Sequence, residues 1–209
     1  DRWITVLTDS GSVALRSAAG GGIEIKPSDG TVADNDEAYL HTTAEQFLFA
    51  DNKPLIVEAD IQFSEANTDD ANVMFGVMDG IAANALQDNG AGPKASYSGA
   101  VFFKEDGETV WSVENSDGGT QKTTQLTADN SIDGDAHTAG SSDFQRLRIE
   151  VNPVDSTNLD ISFFIDGVLV AKHKDQDYAN ATELAVVIGA KNGDTNLETI
   201  NVRRLFCFQ

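Results

Sequence analysis

Residues 159–174 read Leu-Asp-Ile-Ser-Phe-Phe-Ile-Asp-Gly-Val-Leu-Val-Ala-Lys-His-Lys, and this stretch decides the fold class. Leu159, Ile161, Phe163 and Ile165 alternate with Asp160, Ser162 and Phe164. A period of two is the mark of a strand with one face buried. Asp166-Gly167 supplies the positive φ values of a tight hairpin turn, and Val168 to Lys174 returns as the second strand. Phe164 interrupts the alternation, which predicts apolar contact on both faces and a central place for this hairpin in a two-sheet sandwich.

Outward from the hairpin, the chain keeps the same character. Strands are predicted at Arg2–Leu7, Gly22–Lys26, Glu37–Thr42 and Gln46–Ala50, with a Gly-rich break at Ala18–Gly22 and a connector at Pro27–Asp36. Leu55–Phe63 reads as a long strand with Leu55, Val57, Ala59, Ile61 and Phe63 on one face. Glu58, Asp60 and Gln62 fall on the other, which is expected to be wet. Glu65–Asn72 is a polar loop and Val73–Asp79 a strand. Gly80–Gln87 is the one place that admits a short helix, and Asp88–Ser96 is irregular.

Ser98–Lys104 and Glu108–Glu114 are expected to pair across Glu105-Asp106-Gly107. Asn115–Ser142 is a long polar stretch with a strand near Lys122–Leu126. Phe144–Asn152 is a strand whose core residues are Phe144, Leu147, Ile149 and Val151. Glu183–Lys191 and Thr199–Phe208 close the chain. Many strands, frequent turn signals and little helical periodicity predict an all-β, antiparallel two-sheet jelly-roll sandwich spanning residues 1–209 as one domain. Residues 1–51 are expected as edge strands or as an arm toward a neighbour.

The chain has 209 residues, 34 acidic and 14 basic, for a formal net charge of −20. Such a surface repels phosphate backbones and anionic lipids, which argues against nucleic-acid and membrane roles. No apolar run is long enough to cross a bilayer, and no secretory signal is visible. A start at Asp1 predicts a processed or trimmed product. The single cysteine, Cys207, lies in Leu205-Phe206-Cys207-Phe208 and reads as a buried, inert thiol.

No catalytic or cofactor-binding residue is assigned, and no metal site is placed. Calcium is considered at the acidic loops Asp34–Glu37, Asp69-Asp70, Asp129–Asp135 and Asp175–Asp177, but none has EF-hand spacing. Turn chemistry explains each singly. His41 reads as structural, and His173, between two lysines, as solvated. Neither these nor His137 sits in a nucleophile context, and no P-loop, dinucleotide fingerprint or zinc spacing occurs. Trp3, Trp111, Tyr39, Tyr97 and Tyr178 suit sugar stacking where exposed, but are expected to pack in the core or at an edge.

The resemblance is carried by Lys53–Ile61, Met74–Asp79, Gly99–Lys104 with Asp106-Gly107 and Trp111, then Phe163–Val168, and Ala190–Gly193 with Glu198-Thr199. In this succession the chain resembles the concanavalin A-like lectin/glucanase (laminin-G-like) sandwiches from about Pro54 to the end. More narrowly it resembles virion proteins of that fold in tailed bacteriophages. Laminarinase-like glycanases of the fold carry E-x-D-x-x-E on one strand, where paired carboxylates do the chemistry. Here Glu58 and Asp60 match, the third position is Phe63, and Glu65 stands two residues further on. The calcium motif of legume-type lectins has no match.

The resemblance implies a non-enzymatic virion structural protein, a decoration or cement subunit on the outer capsid surface. Its partners would be the major capsid protein and further copies of itself. The alternative is a carbohydrate-binding, lectin-like module of a fibre or secreted protein, with surface glycans as partners. A glycanase or lyase is the third reading. Gly20–Gly22 and Asn115–Ser142 are the expected contact loops.

Overall fold

The computed structural model describes residues 2–28, 30–65, 69–178 and 182–209. Asp1 and the middle of the expected Glu65–Asn72 loop lie outside the described residues. The first sheet contains β1 (Trp3–Leu7), β4 (Glu37–Thr42), β7 (Ala71–Met78), β8 (Gly99–Lys104), β9 (Ser112–Asp117), β10 (Thr120–Gln125) and β14 (Glu183–Asn192). Its order is β1-β4-β14-β7-β8-β9-β10, and the two-residue β5 (Phe47–Leu48) also pairs with β14. The second sheet contains β2 (Ser12–Leu15), β3 (Ile23–Lys26), β6 (Leu55–Phe63), β11 (Ser141–Pro153), β12 (Asn158–Ile165), β13 (Val168–Asp177) and β15 (Ile200–Phe208). Its order is β13-β12-β11-β6-β15-β3-β2. All strand pairings are antiparallel, and the only helical piece among the described residues is a 3-10 turn at Asp88–Gly90.

The two sheets pack through alternate side chains, as period two requires. Val57, Ala59, Ile61, Leu147, Ile149 and Phe163 of the second sheet meet Val73, Phe75, Phe102, Val113, Val186 and Ile188 of the first. Trp111 is fully buried in this layer, edge-on to Phe63 at 5.8 Å and to Phe102 at 6.3 Å between ring centroids. Edge-to-face pairs place the positive ring edge on the negative ring face.

The Asp166-Gly167 turn forms as the sequence dictates, with φ of 51° and 87°. Its hairpin is not central, however. β13 is the edge of its sheet, and Phe164 is half-buried beneath the Arg148 guanidinium, 5.6 Å from its ring centroid. β12 itself alternates without a break, Phe163 and Ile165 in the core and Phe164 outward, and the register shift beside Phe164 falls on β13 at Val170.

Other expectations are corrected locally. Residues 80–87 form turns rather than a helix, because Gly80 and Asn84 take left-handed backbone (φ 51° and 61°) and Leu86 bridges to Pro93. The strand after β8 starts at Ser112, not Glu108: Trp111 N bonds His137 O and Val110 bridges Thr138, which draws residues 108–111 away from β8. Phe144 is not core. It lies three residues before Leu147 and so has the wrong parity, and Arg203 stacks on its ring at 4.0 Å. β2 is additional to the expected strands: it is four residues long, and Leu15 at its end is 87% exposed.

The expected wet face of β6 is covered. Glu58 and Asp60 are 5% and 3% exposed. Arg146 Nε lies 3.5 Å from Glu58 Oε1 and 3.1 Å from Asp60 Oδ1. Arg203 Nε donates to Asp60 Oδ2 at 3.2 Å and Arg204 Nη2 to Glu58 Oε1 at 2.9 Å. Registered pairing with β11 and β15 on either side of β6 brings the guanidinium groups over the carboxylates. In the N-terminal part, β1 and β2 are the edges of the two sheets, while β4 lies inside the first.

Candidate functional site

The outer face of the first sheet is roofed. Residues 79–98 lie across it, and Ala85, Leu86 and Tyr97 pack on Tyr39, Met74, Val101, Phe103 and Val187 as a second apolar cluster. Gly189 makes room for this: a side chain there would meet Tyr39 Cδ1 at 2.1 Å. The roof is fastened by polar groups. Leu86 N donates to Tyr39 Oη at 3.0 Å, and Tyr39 Oη donates to Glu37 Oε2 at 2.9 Å. Lys191, fully buried, donates to Leu86 O at 3.0 Å, to Asn84 Oδ1 at 2.7 Å and to Asp88 Oδ1 at 2.5 Å. Burial, and next the Glu37 charge, push the Tyr39 phenol well above its ordinary value.

What stays open lies beside the roof. At the β9–β10 turn, next to β13, a polar pocket of about 260 Å³ is lined by Asn115, Asp117, Gln121, Lys122, Asp175 and Asp177, among others. Behind Asn115, away from the pocket's own lining, stands His173. This side chain is 1% exposed and packs edge-on against Phe163, 5.3 Å between centroids. His173 Nδ1 lies 2.5 Å from Asn115 Oδ1, and Nε2 lies 3.0 Å from Thr124 Oγ1. An amide oxygen only accepts, so Nδ1 carries the proton and the Thr124 hydroxyl donates to Nε2. Burial, then the nearby Lys122 charge, lower the imidazole to about 4, so it is neutral at neutral pH. The Asn115 amide is thereby fixed with its NH₂ toward Gln176 Oε1 at 3.5 Å.

Gln121, in the pocket's lining, ties it to the roofed face: its Nε2 donates to Glu114 Oε1 at 2.9 Å and to Lys94 O at 3.1 Å. Glu114 also accepts from Tyr97 Oη at 3.0 Å and from Thr123 Oγ1. Burial raises the Glu114 carboxyl, partly offset by the Thr123 and Tyr97 donors. Glu105 is raised by burial and by the Glu108 and Glu114 charges. Glu114 and Tyr97 are 5% and 2% exposed and satisfy each other, so the groups left open to solvent beside them are those of the pocket, Gln121, Lys122 and Asp177.

Other candidate residues are scattered. Trp111, Tyr39, Tyr97 and Tyr178 are buried, and Trp3 is half-buried at the opposite edge. His41 is buried, with Nδ1 donating to Thr42 O at 3.0 Å, and burial lowers it. His173 is the correction: it is a buried organiser, not a solvated side chain. Glu65 pairs with Lys104 at 2.9 Å, so it does not complete a triad with Glu58 and Asp60. Cys207 is half-buried rather than buried. Among the described residues no three His, Cys, Asp or Glu side chains converge as a metal site. In the acidic loops, Asp36 Oδ2 accepts from Ala33 N at 3.0 Å and Asp133 Oδ1 meets His137 Nε2 at 3.1 Å, which is turn and pair chemistry. The sequence held one signal for the pocket, the polar stretch Asn115–Ser142, but nothing that joined it to β13.

No protein-family profile matches the chain, and no curated protein matches it. Solved structures do. The carbohydrate recognition domain of Emp47p superposes with a TM-score of 0.63 at 14% identity, covering 100% of this chain and 89% of that one. The legume lectin-like domain from Entamoeba histolytica gives 0.63 at 13% identity, covering 100% and 90%. The endo-β-1,4-glucuronan lyase of Trichoderma reesei gives 0.64 at 7% identity, covering 98% and 89%. At such identities the likeness is one of fold, and the chain is an all-β jelly-roll sandwich of the concanavalin A-like, legume-lectin type.

Proposed function

We propose that this protein is a non-enzymatic, lectin-like carbohydrate-binding module whose contact surface is the polar pocket at Asn115, Gln121 and Asp177. The observation that carries this reading is the pairing of His173 with Asn115, which fixes an amide at the wall of an open polar pocket while the sheet face next to it is sealed. A preset amide pays little ordering entropy on binding a hydroxyl. Two of the similar structures are a carbohydrate recognition domain and a lectin-like domain, which supports the same reading. The non-enzymatic part is supported by β6, where arginines occupy both carboxylates of the glycanase-like motif. A glycan array followed by calorimetric titration tests it, with calcium and with EDTA. Saturable binding that Gln121→Ala weakens is expected, together with no cleavage of β-1,4-glucuronan. An empty array, or turnover of the polymer, overturns it.

A second reading is a decoration or cement subunit on the outer surface of a tailed-phage shell, bound to the major capsid protein. The exposure of Leu15 (87%) and Phe208 (70%) favours it, since large apolar side chains left in water suit a docking face. Co-sedimentation of the protein with assembled shells tests it, and a protein that stays in the supernatant refutes it.

A further inference from the structure

Lys191 and Lys104 are both fully buried. Burial strips an ammonium of its water, and a lysine bears that loss only where other groups replace the lost contacts. Here protein oxygens replace them. Lys191 Nζ has Asp88 Oδ1 at 2.5 Å, Asn84 Oδ1 at 2.7 Å, Leu86 O at 3.0 Å and Glu37 Oε2 at 3.5 Å. Lys104 Nζ has Asp69 O, Ala71 O and Glu65 Oε1 at 2.9 Å and Glu105 O at 3.1 Å. Carboxylate, amide and backbone carbonyl oxygens converging on one positive centre are the surroundings of a bound hard cation. In both places the centre is instead a nitrogen on a covalent stem.

The register brings the two cages to one end of the first sheet. Lys191 of β14 stands opposite Asn72 of β7, and the next residue, Val73, stands opposite Lys104 of β8. Lys191 has the parity of Val187, which faces the roof, and Lys104 that of Phe102, which faces the core. One ammonium therefore clamps the roof at Asn84, Leu86 and Asp88 from the outer face, and the other clamps Asp69 and Ala71 from the inner face.

The outer cage does not rely on its lysine for its shape. Glu37 Oε1 and Oε2 accept from Asn84 N at 2.8 Å and 3.0 Å, and Oε2 also accepts from Tyr39 Oη at 2.9 Å. Leu86 N donates to the same Tyr39 Oη at 3.0 Å. Glu37, Asn84 and Leu86 are thus placed by bonds of their own. The charges differ between the cages as well. The Lys104 ammonium meets one carboxylate, that of Glu65, whereas the Lys191 ammonium meets two, those of Glu37 and Asp88. The outer cage suits a divalent ion once its lysine is removed.

We propose that the oxygen cage between β14 and the roof is a hard-cation site whose resident ion is the chain's own Lys191 ammonium, so that the roof is held without any metal. A tethered ion stays at its site whatever the free cation concentration. The proposal does not depend on glycan binding. Calorimetric melts in EDTA and in calcium chloride at matched ionic strength test it, together with luminescence of terbium, which stands in for calcium. An acidic chain binds calcium loosely at many places, so each variant is read against wild type. EDTA should leave the wild-type melting temperature unchanged. Lys191→Ala should melt below wild type in EDTA and gain roughly 5 °C more than wild type at saturating calcium. Terbium emission sensitised by Tyr39, beside Glu37, should rise severalfold in this variant over wild type. Lys191→Met fills the space with an apolar chain and should gain nothing from calcium. Glu37→Gln added to Lys191→Ala should remove most of the gain. If Lys191→Ala is unfolded in EDTA, calcium should restore the strand signal in circular dichroism. A wild type that melts lower in EDTA overturns the proposal, because a metal then shares the work. So does a Lys191→Ala protein that calcium neither stabilises nor folds, or an equal gain in Lys191→Met.

Discussion

His173 Nδ1 donates to Asn115 Oδ1 at 2.5 Å, and this one bond ties β13 of the second sheet to β9 of the first. Because the imidazole is buried and neutral, it must be uncharged for the sheets to close here. Its value falls from 6.5 to about 4 on folding. Between those limits the unfolded chain binds the proton and the folded chain does not. The contribution is therefore complete above about pH 6.5 and is lost as pH falls toward 4, a change on the order of 3 kcal/mol. His173→Phe should flatten that slope relative to wild type. Urea titrations of both proteins at pH 4.5, 5.5 and 7 measure the difference, and parallel pH profiles would refute the assignment.

Gln121 and Asn115 make separable contributions to the pocket. Gln121 is exposed, and its amide bridges Glu114 and Lys94 O. Gln121→Ala should cost about 1 kcal/mol of glycan affinity, roughly fivefold in Kd, with little change in stability. Asn115→Ala removes the partner of a buried ring nitrogen, so stability should fall by about 1–3 kcal/mol as well. Calorimetry beside thermal melts distinguishes the two. Equal loss of stability in both variants contradicts the division.

Lys191 holds the roof on the first sheet. It is wholly buried, 3.5 Å from Glu37 and 2.5 Å from Asp88. Removing one member of a buried ion pair leaves the other charge stranded, which costs about 3–5 kcal/mol. Lys191→Met should destabilise the protein by that order and open residues 79–98 to proteolysis. Lys191→Met with Glu37→Gln should recover part of the loss. Chemical denaturation and limited proteolysis of the single and double variants provide the readout.

The hairpin at 159–174 was legible because alternation and an Asp-Gly turn are local properties. So was the core face of β6. What failed was non-local. His173 lies between two lysines in sequence, and its partner Asn115 is 58 residues away. Glu58 and Asp60 alternate outward as any wet face does, and the arginines that cover them come 86 to 146 residues later. The Ala-rich run at 81–86 reads as helical until Gly80 and Asn84 take left-handed backbone and Leu86 is drawn onto Tyr39. Phe144 differs: its hydrophobicity suggests core, but its odd spacing from Leu147 turns it to the outer face.

Cys207 offers a test that alters no residue. Its side chain is only half-buried, in the lining of a cavity of about 330 Å³, yet burial pushes the thiol from 9.0 up to about 12, with a backbone bond at Phe208 acting the other way. Thiolate is the reactive form, so about three pH units cut its population at pH 8 roughly a thousandfold. In dilute native protein, labelling by iodoacetamide should therefore be very slow at pH 8 and become fast in denaturant. Accessibility alone would predict appreciable native labelling. A native rate near that of a free thiol would mean that water reaches the sulfur freely in the folded protein, and would refute the raised value.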